Sequence, residues 1–308
     1  MKDIHIYFCD FWDGFDPSNN IFVGALKTIY NVIVDKAPDK ITDIIICSCF
    51  AREHIKYVGC KKIIYYSGEN DFPTYLDYDY AITHNIFEYN RHHRLPLWVS
   101  YNYDYIQKHG SGIAELKPMD KAAINRKFCA DVISNTNCAW PLRFKLSDII
   151  SEKYKTVDHG GSYKNNVGGN VKDKYEFFSN YKFSLASENS MVDGYVTEKI
   201  YDSFMSRTIP IYLGSDYVTN DFNKDAFINV NDYKTFDDLI SRIKEIDEND
   251  DLYMEMLNKQ PLTGGNSAYY DIMFNELARY LQYVIEKGSM RCHKYGRIGL
   301  YLQRKFYN

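Results

Sequence analysis

The sequence carries no excess of positive charge. Its 37 Lys and Arg stand against 41 Asp and Glu, a formal net charge of -4 over 308 residues. A general nucleic-acid binder needs a basic footprint to displace phosphate counterions, so that class is excluded and any phosphate recognition must be local. There is also no run of about 18 apolar residues, the length a membrane-crossing helix needs. The opening "MKDIHIYFCDFW" lacks a charged segment followed by a long apolar one, so neither a signal peptide nor a transmembrane helix is expected. Cysteine is sparse: Cys9, Cys47, Cys49, Cys60, Cys129, Cys138 and Cys292 are odd in number and lack paired CxxC spacing. That argues against a disulfide framework or a zinc motif and for reduced thiols, mostly buried in strand-like runs, in a cytoplasmic chain. Internal repeats, low-complexity tracts and dense carboxylate or histidine clusters are missing as well, and with the last goes the expectation of a dedicated metal cage.

What is there is ordinary globular composition, 45% hydrophobic and 25% charged. The length fits two α/β domains of roughly 150 residues each. Tyrosine is plentiful, at 29 residues; it offers an aromatic face for packing or sugar stacking and a hydroxyl for hydrogen bonding, although codon bias accounts for such enrichment equally well.

"DIHIYF" alternates as a strand and runs into the turn-rich "DFWDGFDPSNN". "IFVGALKTIYNVIVDKA" follows at helical spacing, then the short apolar runs "DIIICSCF", "KKIIYYS" and "DYAITH". Strands alternating with helices imply a mostly parallel sheet. Periodicity lapses over 110–125, where Gly, Ser and Pro gather. The pattern then restarts: strand "KFCADVIS", helices "LRFKLSDIISEKY" and "KYEFFSNY", strand "KFSLAS", a helix near 196–206, strand "IPIYLG", a strand at "AFINV" and further helices. The expected organisation is an N-terminal α/β domain over 1–115, a linker over 116–125, a second α/β domain over 126–280 and a helix or tail over 281–308.

In open α/β sheets, ligands bind beyond the carboxyl ends of strands, where helix N-termini present amide groups. "FSLASENSMVDGYVTEK" has that layout. Strand "KFSLAS" delivers Glu188 and Asn189, Gly194 turns the chain, and Thr197, Glu198 and Lys199 open the next helix. Lys199 there would neutralise a phosphate and Glu198 would accept hydrogen bonds from sugar hydroxyls, which reads as a site for a phosphorylated sugar compound. Taken alone, the same residues also describe an ordinary helix N-cap with a surface lysine.

They do not stand alone. The stretch "FSLASENSMVDGYVTEKIYDSFMSRTIPIYLGS" resembles the α-1,3-fucosyltransferase signature of glycosyltransferase family 10, its bacterial members most of all. "YYSGEN", "RLPLW", "SNTNCAWPLR" and "HGGSYKNNVGGNV" agree in the family's order, from about Lys61 to Leu262. The resemblance implies a GT-B-like fold, two Rossmann-like α/β domains facing each other across a cleft, with acceptor bound by the first and GDP-fucose by the second. It implies that Asn189, Tyr195, Glu198 and Lys199 hold the donor, with Arg143 joining Lys199 at the diphosphate. Two cations there would stabilise the charge that develops on departing GDP. It further implies Glu69 as the single base of an inverting transfer. Read by itself, Glu69 is a loop carboxylate capping its own turn, and only the resemblance reverses that reading. No cofactor is expected to bind tightly; Mn²⁺ or Mg²⁺ would at most stimulate by screening GDP.

Weaker constellations complete the reading. Trp12 is placed to stack on an acceptor sugar or to pack against protein. Lys164 and Asn165 of "GGSYKNN" are candidates to approach the donor, although a plain turn uses the same glycines. Asp77-Tyr78-Asp79 has the look of a DxD metal motif but falls ahead of a strand and reads as a turn. "RHHRLPLW" reads as a solvated basic segment whose histidines point opposite ways. The basic, aromatic tail "RIGLYLQRKFYN" reads as a frayed helix end or, second, as a peripheral membrane contact. The expected activity is inverting transfer of L-fucose from GDP-fucose to a GlcNAc or Glc hydroxyl, α-1,3 or α-1,4, of an oligosaccharide such as N-acetyllactosamine or a Lewis-type precursor. The alternatives are a GT-B enzyme for another nucleotide sugar and a non-catalytic nucleotide-sugar or glycan-binding module.

Overall fold

The computed structural model describes residues 1–136, 140–265 and 268–290. Cys138, Cys292 and the basic, aromatic tail therefore lie outside the described residues. The chain forms two compact units. The first comprises Met1–Asp104 with the described residues from Asp271 onward, and the second Tyr105–Tyr270.

The first unit is built on strands β1 (Asp3–Cys9), β2 (Asn31–Val34), β3 (Ile44–Cys47), β4 (Lys62–Ser67), β5 (Tyr80–Thr83) and β6 (His92–Arg94). They pair in parallel in the order β2-β1-β3-β4-β5-β6. The central strands β3 and β5 are buried at every position, as expected where both faces of a parallel sheet are covered. Helix α1 (Ile21–Lys27) starts at Asn20, whose side chain accepts the amides of Phe22 and Val23 at 3.1 Å each in a side-chain N-cap. The helix expected over 21–37 stops at Lys27, and "NVIV" pairs instead with β1, Asn31 opposite Asp3. Its β-branched run suits a pleated sheet, and that edge pairing outweighs helical spacing. Helix α2 (Leu97–His109) follows β6.

The "HH" segment is not solvated. His92 is buried and stacks on Phe87 at 4.1 Å, with Nε2 at 2.9 Å from Thr83 Oγ1, while His93 stacks on Tyr280 at 5.1 Å. Flanking arginines suggested a surface run, but β6 closes the sheet and the rings fill the space beside it.

The second unit contains β7 (Lys127–Asp131), α3 (Leu142–Lys153), β8 (Val157–His159), α4 (Lys174–Phe178), β9 (Tyr181–Ser187), α5 (Glu198–Met205), β10 (Ile209–Leu213), α6 (Val218–Asp221), β11 (Ile228–Asn229), α7 (Phe236–Glu248) and α8 (Asp250–Leu257). Its parallel sheet runs β11-β10-β9-β7-β8. Phe183, Leu185, Ile209, Ile211 and Leu213 from the strands meet Leu146 and Ile150 of α3 and Leu239, Ile243 and Ile246 of α7 in one core. The α7 residues recur at helical spacing and so share a face.

Two boundaries differ from the sequence expectation. The stretch 116–125 is folded into the second unit: Asn258 exchanges two hydrogen bonds with the backbone of Met119, at 2.7 and 3.1 Å, and Ala123 enters the core. Of the last helix, α9 (Ala268–Glu286), the residues from Asp271 belong to the first unit. There Lys62 Nζ donates to the carbonyls of Val284 and Ile285 at 2.8 and 2.6 Å, and Tyr30 donates to Glu286 at 2.6 Å. A lysine on the last carbonyls of a helix satisfies groups that have no partner within it.

Candidate active site

In each sheet the strand order reverses once, between β1 and β3 in the first unit and between β7 and β9 in the second. Loops leaving the carboxyl ends of such a strand pair diverge and leave a crevice.

In the second unit, β9 is buried along its whole length and ends at Glu188, which has no solvent exposure. The Glu188 amide extends the ladder, donating to Leu213 O at 2.8 Å. Its carboxylate accepts the Thr197 amide at 2.8 Å and the Thr197 hydroxyl at 2.7 Å, and lies 3.3 Å from Lys199 Nζ. A carboxylate buried so completely needs such donors to offset desolvation. Room for it depends on Gly214, where a Cβ would come within 2.8 Å of Glu188 Cγ and 2.2 Å of the Tyr212 hydroxyl. Thr197 is the N-cap of α5, so one carboxylate ties the strand end to the helix start.

Lys199 Nζ also lies 3.0 Å from Thr197 Oγ1 and 3.2 Å from Glu198 Oε1. Burial would lower its pKa, but the carboxylates of Glu188 and Glu198 outweigh burial and hold it above the ordinary lysine value. Glu188 moves the other way for its type, raised by burial against the pull of Lys199. In Glu198 burial is outweighed by Lys199, and the carboxyl pKa is lowered.

Arg143, in the first turn of α3, is buried and donates through Nη1 to Asn189 Oδ1. Its Nε has no hydrogen-bond partner, and among the described residues no carboxylate forms an ion pair with it. Asp131, at the end of β7, is bonded instead to His159 Nδ1 at 2.9 Å. Arg143, Asn189, Glu198 and Lys199 line a cavity of about 230 Å³ with Ser134, Asn135, Lys174, Ser187 and Asp202. A cavity that holds an arginine without a counter-ion favours an anionic occupant, because a buried cation left unpaired is costly.

Of the other residues singled out in the sequence, Tyr195 is buried behind the loop, near enough to Lys199 to act on its charge, but does not line the cavity. Lys164 and Asn165 do not line it either. Lys164 forks onto Asp148 at 2.6 and 2.7 Å, and Asn165 closes its own loop through Gly161 O and both backbone groups of Gly169. The asparagine side chain thus holds its own loop together. Glu69 follows β4 in the first unit, with an exposed carboxylate that has no hydrogen-bond partner among the described residues; its carbonyl accepts the Asp71 amide at 2.7 Å. Trp12 lies just beyond β1, 43% exposed, with ring centroids 5.3 Å from Phe15 and 5.9 Å from Phe50.

Lys174 and Asp202 were not singled out. They form an ion pair at the cavity, and Tyr175 donates to the same carboxylate at 2.9 Å. Asp202 stands four residues after Glu198 on α5, so helical spacing alone places both on one face; Lys174 had no comparable signal.

Residues 123–261 match the family model described as glycosyltransferase family 10 (fucosyltransferase) C-term, and residues 6–101 match that of the alpha-(1,3)-fucosyltransferase FucT N-terminal domain. The chain is 32% identical over 305 residues to alpha-(1,3)-fucosyltransferase FucT of Helicobacter pylori, covering 88% of this chain and 63% of that protein, so it spans a little under two thirds of that relative's length. A solved α1,3-fucosyltransferase superimposes with a TM-score of 0.81 at 29% identity, over 94% of this chain and 92% of that one. An α1,3-fucosyltransferase structure with GDP-fucose gives 0.77 at 29% identity over the same shares. With its two parallel sheets the fold is GT-B-like α/β, and in both units the chain is similar to the α-1,3-fucosyltransferases of glycosyltransferase family 10.

Proposed function

We propose that this protein transfers L-fucose from GDP-fucose, with inversion, to the 3-hydroxyl of a GlcNAc or Glc unit in an oligosaccharide such as N-acetyllactosamine, with the 4-hydroxyl as second site. The observation that carries the reading is Arg143. It is a buried cation without a carboxylate partner among the described residues, beside Lys199 in a cavity at the strand-order reversal. A diphosphate suits that cavity, since Arg143 supplies a planar fork of donors and Lys199 a point charge held ionised by its neighbours. As the bond from fucose to GDP breaks, negative charge grows on the β-phosphate, and both cations then bind more strongly than in the ground state. Glu198 and Asn189 are assigned to sugar or ribose hydroxyls. Glu69 is assigned as the base, for which a carboxylate free of other hydrogen bonds is suited; Trp12 is assigned to the acceptor.

The test is release of GDP from GDP-fucose with N-acetyllactosamine and its type 1 isomer as acceptors. Acceptor-dependent release is expected. Release from another nucleotide sugar but not from GDP-fucose would replace the donor assignment, and binding of GDP-fucose without release to either acceptor would point to a binding module.

A further inference from the structure

The carboxyl ends of β1 and β3 bring together three side chains of metal-ligating type that are far apart in sequence. Asp10, Cys47 and His54 are all buried, and one donor atom from each lies within 4.8 Å of the others. The backbone explains the meeting. β1 and β3 pair in register with Cys9 opposite Cys47. Asp10 follows in the left-handed region (φ 63), and its carboxylate accepts the amides of Glu53 and His54 at 2.6 and 3.0 Å. That anchors the helical turn Glu53–Tyr57 over the strand ends. The His54 ring is then sandwiched, Nδ1 2.6 Å from Asp10 Oδ2 and Nε2 3.5 Å from Asp77 Oδ2. His54 is 5% exposed.

We propose that this cluster binds a zinc-class divalent cation, ligated by the Asp10 carboxylate, the Cys47 thiolate and His54 Nδ1, with Asp77 as the outer carboxylate on Nε2–H. Thiolate and imidazole donors select zinc-class ions over Mg²⁺ or Ca²⁺, which prefer oxygen. A carboxylate on the far nitrogen of a ligating histidine is the usual outer-shell partner. Entry of the cation releases one proton from the Cys47 thiol and one from the His54 imidazolium. The Asp77 side chain is 26% exposed. The bound ion would cross-link β1, β3 and the turn Glu53–Tyr57 at the root of the loop that carries Trp12. None of its ligands is a residue assigned to GDP-fucose.

The test is titration of the metal-stripped full chain with Co²⁺, followed by Zn²⁺. One Co²⁺ per chain is expected, with a thiolate-to-cobalt charge-transfer band that Zn²⁺ abolishes and Mg²⁺ does not. Cys47→Ser should remove the band, whereas Cys60→Ser, an exposed thiol outside the cluster, should keep it. Asp77→Asn should lower Zn²⁺ affinity roughly 10- to 100-fold. Absence of the band, or its survival in Cys47→Ser, overturns the proposal. If Cys47→Ser does not fold, unchanged Zn²⁺ affinity in Asp77→Asn overturns it instead.

Discussion

Lys199 Nζ lies 3.3 Å from the carboxylate of Glu188, a residue with no solvent exposure. The charge at the mouth of the cavity is thus fixed from beneath by the end of β9, through a carboxylate that also holds the N-cap Thr197. Glu188→Ala would leave the buried Thr197 amide without its acceptor and take from the Lys199 ammonium one of its two carboxylate partners. Removing one partner of a buried pair costs about 3 to 5 kcal/mol, and a loss of that order should appear in denaturant unfolding. A loss below about 1 kcal/mol would show that the carboxylate does not hold the site together.

Arg143 should behave in the opposite way. Arg143→Ala removes a buried cation that forms no ion pair among the described residues, so stability should hold or rise, while GDP affinity falls at least about 10-fold, from loss of hydrogen bonds to a charged ligand worth ~1.5 to 3 kcal/mol. Arg143→Lys should recover little, because a point charge does not replace the planar fork. Calorimetric titration with GDP checks both, and wild-type affinity in Arg143→Ala would remove the central support for the proposed donor site.

Glu69→Gln keeps the shape of an exposed loop side chain and removes its basicity. Turnover with acceptor should drop by roughly 10²- to 10⁴-fold, with GDP affinity within about twofold of wild type. Near wild-type turnover would rule out Glu69 as the base.

Acid should weaken the first unit through three of its histidines, His84, His92 and His93. Burial lowers the pKa of His84, His92 and His93 to about 4 in the folded chain, against the ordinary 6.5. Between these values the unfolded chain binds protons that the folded chain does not, so stability falls as pH drops below about 6.5. At about 1.4 kcal/mol per pH unit, His93 alone accounts for up to about 2 kcal/mol between pH 7 and pH 5. In His93→Phe, which keeps a ring against Tyr280, that loss should shrink by this amount in chemical denaturation at the two pH values. An identical pH dependence would refute the assignment.

Much of the site was legible because its signal is local. Glu188, Asn189, Glu198 and Lys199 lie within one strand-loop-helix passage, where apolar periodicity locates the strand and a Thr before Glu-Lys locates the N-cap. Arg143 had only its surrounding motif, and the structure adds what makes it informative: burial without a counter-ion among the described residues. Lys164 and Asn165 sit in a glycine-rich loop of the right look, but whether their side chains turn outward or close the loop is settled by Asp148 and Gly169. The run 31–34 reads as helix in the sequence because spacing does not reveal that β1 has an open edge to receive it. Likewise, His92 and His93 read as surface residues because their covering rings, Phe87 and Tyr280, are not their sequence neighbours.

By itself the sequence determined the alternation of strands and helices, the two parallel α/β units, the resemblance to the fucosyltransferases and the passage that carries the candidate donor residues. Each of these depends on residues close together in the chain. Tertiary structure alone decided where the units divide, that Arg143 is buried with no ion pair among the described residues, and that Asp10, Cys47, His54 and Asp77 converge. Those depend on strand order, and the parallel connections that set it bring together side chains separated by tens of residues, a distance at which no spacing pattern survives.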